Sequence, residues 1–423
     1  MKKALALLIP AVLLAGCGAD DNSKSNRTQI TILGTIKGEI GPQFEDAIDA
    51  YNASQEQYEL VSLPLDGNAY EKMTAMYASN KAPTIMVMGQ EAQELQDKLM
   101  DFSQTEILSH AYPGTYDVVT HDERVLGLPI TVESFGFLYN QAVLNKAVGG
   151  EFDPSSIATQ DDLSNLFKQV SALENVDAVS VSPMDWSLGA HFTNVLFANQ
   201  AGDIDANLEA LEAIKAGEVS LNDNSVYQGW LTTFDLMKEY NKSKRAPLAP
   251  TYDDSAMALA AGEVGMWFQG NWAYSTLLEL NAEGEYGILP VPVNNDESFK
   301  GNNAISVGVP MYFTVDASQS SPEQREGALD FFNWLFTSQE GTDAYVNKMH
   351  FIPVYDNIEI EPHDKLSQTI LAKMKAGETL NWVNMYYPGD AFPSMGASMQ
   401  KYLAGVIDKH ALATEFEKYW TSK

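Results

Sequence analysis

Apolar positions in the first ninety residues alternate between two spacings. Gln29 to Leu33 and Tyr58 to Leu63 are short β-rich runs, whereas Phe44, Ala47, Ile48 and Tyr51 fall at i, i+3, i+4 and i+7, the spacing of one helical face. Tyr70, Met73, Met76 and Tyr77 mark a second such face, and Ile85 to Met88 is a continuous apolar run after Pro83, as expected of a strand covered on both sides. Strand, helix, strand, helix, strand predicts a parallel α/β layer with right-handed crossovers, whose ligands bind at the carboxyl ends of the strands. Further on, Ser321-Pro322-Glu323-Gln324 is a capping box with proline at the first helical position, followed by Ala328, Phe331, Phe332 and Leu335 on one face. Asp253 and Asp254 precede a helix predicted over Ser255 to Ala261 and closed by Gly262. Pro247, Pro250 and Leu289-Pro290-Val291-Pro292 mark irregular connections. The sequence shows neither an internal repeat nor linkers at domain boundaries, the pattern of a chain that crosses between lobes more than once.

The amino terminus follows a different logic. Lys2 and Lys3 precede an apolar run from Ala4 to Val12, and Leu14-Ala15-Gly16 stand directly before Cys17, the single cysteine of 423 residues. The run is too short to span a bilayer and has the layout of a secretory signal. The expectation is a signal peptide over 1–16 and lipidation of Cys17, giving an exported protein anchored at the periplasmic or extracellular face of the cell membrane. Residues 17–26 are small and polar, as in a flexible tether. One cysteine leaves no intramolecular disulfide, so the fold rests on its core. The formal net charge of −31 repels nucleic acid and anionic lipid.

Most catalytic signatures are missing. The six histidines show no helical i, i+4 pair for zinc, and the chain has no GxxxxGK[ST] loop, GxGxxG fingerprint or GxSxG elbow. Neither metal nor cofactor is expected. Acidic pairs such as Asp161-Asp162 read as solvated helix termini in a chain with 57 carboxylates.

Three segments together resemble the bacterial extracellular solute-binding proteins of carbohydrate ABC transporters, the maltose-binding-protein group. They are Gly127-Leu128-Pro129-Ile130-Thr131-Val132-Glu133 through Phe137-Leu138-Tyr139-Asn140; Ala260-Ala261-Gly262 through Gly270-Asn271-Trp272; and Ala328 to Leu335 with Ser338, Tyr345 and Ile352-Pro353. The order and spacing extend over the whole chain after the tether. The loop Gly34-Thr35-Ile36-Lys37 departs from the family, lacking the aromatic or acidic group that many relatives place there. The resemblance implies an α/β, two-lobed type II binding-protein fold with a ligand cleft. The chain would cross near residues 131–136, 298–303 and 349–354. The first lobe would then comprise 27–131 with 303–349, and the second 136–298 with 354–423. It further implies a monomeric, non-enzymatic receptor that delivers a carbohydrate, an oligosaccharide by expectation, to an ABC permease.

A pyranose offers an apolar face and a rim of hydroxyls, so its site needs aromatic surfaces together with carboxylates and amides. Trp272 is the first candidate, being in a glycine-flanked turn that matches a cleft aromatic of the family. Gln269 and Asn271 flank the same turn and Tyr274 follows it, while Trp267 reads as core. Glu133 interrupts the apolar run Leu126 to Leu138 and needs solvent, a counter-ion or a ligand hydroxyl. Asp185 and Trp186 follow the strand Ala178 to Val181. Asp66, Asn68 and Tyr70 hold the corresponding place in the first lobe, and Trp382 and Tyr386 lie in a late aromatic, amide-rich stretch. For these the competing roles are helix capping and core packing. Two other functions remain open at the level of sequence. Acidic candidates would suit a polyamine or another organic cation between aromatic rings, and two carboxylates would suit a glycoside hydrolase.

Overall fold

The structure, a computed structural model, describes residues 27–34, 37–64 and 69–423. The expected signal peptide, Cys17, the tether, Asp66 and Asn68 lie outside the described residues, as does the side chain of Tyr70.

Two sheets form the framework. In the first, β1 (Thr28–Leu33) lies between β2 (Tyr58–Leu63) and β3 (Ile85–Met88), parallel to both. The connecting helices are α1 (Gly41–Ser54) and α2 (Ala69–Ala78). α1 buries Phe44, Ala47, Ile48 and Tyr51, the four positions that the helical spacing picks out. The short β4 (Leu128–Pro129) closes the far edge beyond a strand that arrives late in the chain, giving the order β2-β1-β3-β10-β4 with β10 at Tyr312–Val315.

The second sheet is built around β5 (Glu133–Asn140), buried along its whole length. Antiparallel β7 (Val264–Gly270) covers one edge of β5, and parallel β6 (Asp177–Ser180) lies beyond β7. The other edge is shared. β8 (Tyr286–Leu289) pairs Phe137 to Asn140, while β9 (Ile305–Gly308) pairs Glu133 to Phe135 and continues to β11 (Thr379–Asn381). The period of two along these strands sorts the side chains. Phe135, Phe137, Tyr139, Met266 and Phe268 join a core on one face, and Leu138, Trp267 and Ile288 join an apolar cluster continuous with the first lobe. Trp267 is fully buried, as expected of a core residue, and its indole donates to Ser182 Oγ at 2.8 Å.

The sheets revise two expectations. β9 belongs to the second sheet, so residues 305–308 leave the first lobe and the second pass between sheets falls between β9 and β10. Tyr355 packs on Phe336 at 4.3 Å and its hydroxyl donates to Pro129 O at 2.7 Å, so the third pass comes after Tyr355. Neither pass carries a linker composition that would mark it as a boundary. The helix expected over 255–261 is Tyr252–Ala260. Thr251 is its N-cap and Asp254 completes a capping box, so the acidic pair lies in the first turn, where it favours the helix dipole. The other capping box, Ser321 with Gln324, opens Pro322–Thr337 as expected.

The first pass, residues 130–132, lies against residues 345–352 of the first lobe. Val132 and Ile352 form a β-bridge, Ile352 N donates to Thr131 Oγ1 at 3.0 Å, and the Tyr345 hydroxyl donates to Ile130 O at 2.7 Å. These segments form the floor of the crevice between the lobes.

Candidate functional site

The strand ends that face this floor carry the candidate chemistry. β7 ends at Gly270, and Asn271–Ala273 form a single 3₁₀ turn before the helix Tyr274–Leu280. A β-carbon on Gly270 would stand 2.0 Å from the Trp272 ring, so only glycine lets that indole fold back over the strand end. Asn271 is buried and its Oδ1 accepts the Ser134 N–H at 2.8 Å, tying the turn to the start of β5. Gln269 is also buried. Its Oε1 accepts from Gly270 N at 3.1 Å, while its amide nitrogen has no protein acceptor.

Glu133 opens β5 opposite Gly308 and is 4 % exposed. Burial pushes its carboxyl above the usual carboxylate range, and the Lys37 ammonium opposes that rise. Lys37 comes from the loop after β1, in the other lobe. Its Nζ stands 2.5 Å from Glu133 Oε1 and 4.5 Å from the centre of the Trp272 ring, an ion pair and a cation–π contact made by one group.

A group of rings surrounds Trp272. His191 lies 5.0 Å from it and stacks on Phe135 at 4.6 Å; Trp186 lies 6.3 Å from Trp272 and 5.4 Å from His191. His191 and Trp186 belong to Trp186–Phe192, a π-helical turn that widens the helix start. Gly189 in this turn faces the backbone of Phe392 and Gly396 so closely that a β-carbon would clash at 2.2 Å, which presses the turn onto the helix Ala391–Leu403. Trp382 stacks on Phe135 at 5.2 Å, and Gly308 leaves the room that its ring occupies.

Thus Glu133, Trp186, Trp272, Trp382 and Asn271 come together at one face of the cleft, with Gln269 beneath. Trp382 is 5 % exposed and forms the back of the ring group. Asp185 is exposed and accepts from Trp186 N at 2.8 Å. Tyr274 turns to Tyr286 and His350, with ring centres at 6.5 Å and 5.1 Å. Tyr386 is 43 % exposed and makes none of the ring contacts of the group; partial burial of its hydroxyl, with the carboxylates of Asp117 and Asp205 adding to it, pushes the phenol up. Sequence reasoning missed Lys37 and His191. A lysine at the carboxyl end of the first strand was the available signal for Lys37; nothing in the apolar context of His191 distinguished it from a core histidine.

Burial, with the Lys37 charge adding to it, pushes the His191 imidazole down to about 3. It is therefore neutral at physiological pH and can both donate to and accept from a hydroxyl. Because the folded value lies below the unfolded one, the unfolded chain binds the extra proton, and stability is lost as pH falls from about 6.5 toward 3. The His191 ring resonances are expected to show no titration between pH 5 and 8 by NMR; a midpoint near the ordinary histidine value would contradict this environment.

Between the lobes, Lys37, Glu39 and Ile40 face Thr131, Glu133, Trp272 and Met349 around a crevice of about 20 Å³. That holds roughly one water molecule, because the Lys37 side chain fills the space over the indole. Flat rings beside a buried carboxylate can stack on an apolar ring face and accept hydroxyl protons.

Two α/β lobes that meet over an aromatic and acidic crevice define a cleft receptor. The chain belongs to the bacterial extracellular solute-binding protein family, whose model matches residues 46–368. Solved structures with the same fold include the apo form of RafE from Streptococcus pneumoniae, at 16 % identity and a TM-score of 0.74, covering 94 % of this chain and 98 % of that one. A sugar transporter from Bacillus licheniformis solved with stachyose is 16 % identical with a TM-score of 0.69, covering 93 % and 100 %. Maltose-bound MalE3 of T. maritima is 15 % identical with a TM-score of 0.68, covering 93 % and 99 %. Among the described residues, no helix is long and apolar enough to cross a membrane.

Proposed function

We propose that the protein is a non-catalytic receptor that captures an oligosaccharide between its lobes and delivers it to an ABC permease. The observation that carries this reading is the combination of Trp272, Trp186 and His191 with buried Glu133, approached by Lys37 from the opposite lobe. Stachyose and maltose in the cleft receptors of the same fold support the solute class. The pass at 130–132, bridged antiparallel to Ile352, acts as the hinge together with the passes after Gly308 and Tyr355, and the ligand favours the closed state by contacting both lobes. Cys17 carries the lipid that holds the receptor at the outer face of the membrane, and the folded part works as a monomer.

A thermal-shift panel of raffinose, stachyose, malto-oligosaccharides and chito-oligosaccharides tests this. At 100 times its dissociation constant a ligand adds about 2.7 kcal/mol to stability. A selective rise with an oligosaccharide, and no cleaved product, is the expected outcome. Turnover of the sugar would overturn the receptor reading in favour of a hydrolase; no shift by any sugar would exclude these solutes.

A further inference from the structure

The cleft contains an arrangement that serves organic cations elsewhere in chemistry: an indole face and a buried carboxylate converging on one ammonium. Here the ammonium is the protein's own. Lys37 Nζ stands 2.5 Å from Glu133 Oε1 and 4.5 Å above Trp272, and its side chain is 23 % exposed. Lys37 is on a loop of the first lobe, whereas Glu133 opens β5 of the second sheet and Trp272 lies in the turn that follows β7.

We propose that Lys37 is the specificity-determining residue of the cleft, an internal occupant that fills the Glu133–Trp272 cation cage and thereby turns the site from organic cations toward solutes without positive charge. Two physical consequences follow. A free alkylammonium must displace a tethered one that lies at high effective concentration, so it competes poorly. A neutral polyol can share the pair, because Lys37 donates to hydroxyl oxygens while Glu133 accepts hydroxyl protons, and neither charge is left unpaired. Glu39 lines the same crevice and adds a second negative charge that disfavours ionised Glu133, so the site without Lys37 would hold an uncompensated buried carboxylate. This inference rests on the cleft being the ligand site, but its test uses a probe that is not a sugar, so failure of the oligosaccharide panel and failure of the cage are separate results.

The probe is n-propylammonium, the fragment that Lys37→Ala removes. Titration calorimetry and thermal shift are run on the wild type, on Lys37→Ala, on Lys37→Met and on Lys37→Ala/Glu133→Gln. The expected result is saturable binding to Lys37→Ala at least tenfold tighter than to the wild type. Lys37→Met, which refills the space without charge, gains nothing, and Glu133→Gln abolishes the gain of the double variant. Lys37→Ser replaces Lys37→Ala if the latter fails to fold. A folded Lys37→Ala or Lys37→Ser protein that binds n-propylammonium no better than the wild type overturns the proposal, as does a gain that survives Glu133→Gln.

Discussion

Trp272→Ala is expected to fold as the wild type does and to lose about 100-fold in oligosaccharide affinity. The estimate combines roughly 25 cal/mol for each Å² of apolar sugar face removed from water with about 0.5–1.5 kcal/mol for an oriented aromatic contact. The fold survives because Trp272 is only partly buried and stands at the edge of both apolar clusters rather than within either. Calorimetric titration of the variant, with its melting temperature measured beside the wild type, checks the prediction. An affinity within threefold of the wild type would remove Trp272 from the site and assign the glycine at 270 to packing alone.

Glu133→Gln separates binding from stability in the opposite sense. A carboxylate accepts charge-assisted hydrogen bonds, each worth about 1.5–3 kcal/mol, so replacing it with an amide is expected to cost about tenfold to 100-fold in affinity. Its melting temperature should equal or exceed that of the wild type at pH 8, because burial already disfavours the ionised form. The sign follows from linkage. A carboxyl raised in the folded state contributes stability below its unfolded value and loses it as pH rises through the folded one, so the gain from glutamine should shrink toward pH 4. A variant that is both destabilised at pH 8 and unchanged in affinity would make Glu133 a structural ion-pair member.

The first lobe was legible in the sequence because its strands and helices carry their own periodicity. Tyr58–Leu63 and Ile85–Met88 match the apolar runs, and α1 buries the residues that its spacing picks out. The passes between sheets were less legible, since β9 pairs with β5 across the whole stretch from 141 to 304 and has no local mark. Trp272 and Glu133 could be chosen because each breaks a local rule: an indole in a glycine turn and an acid in an apolar run. Lys37 breaks none. A lysine in a polar loop is ordinary until the fold brings an indole and a carboxylate to it. His191 was hidden for the opposite reason, lying in a buried helical turn whose π geometry and ring neighbours arise only from tertiary packing.

The most direct test of the account is calorimetric titration of the purified protein, stripped of carried-over ligand, with the oligosaccharide that stabilises it, followed by analysis of the recovered sugar. The expected result is one saturable site per chain, lost with Trp272→Ala, and sugar recovered intact. Binding that is indifferent to both Trp272 and Glu133, or sugar recovered cleaved, would contradict a receptor that holds its solute at this cleft.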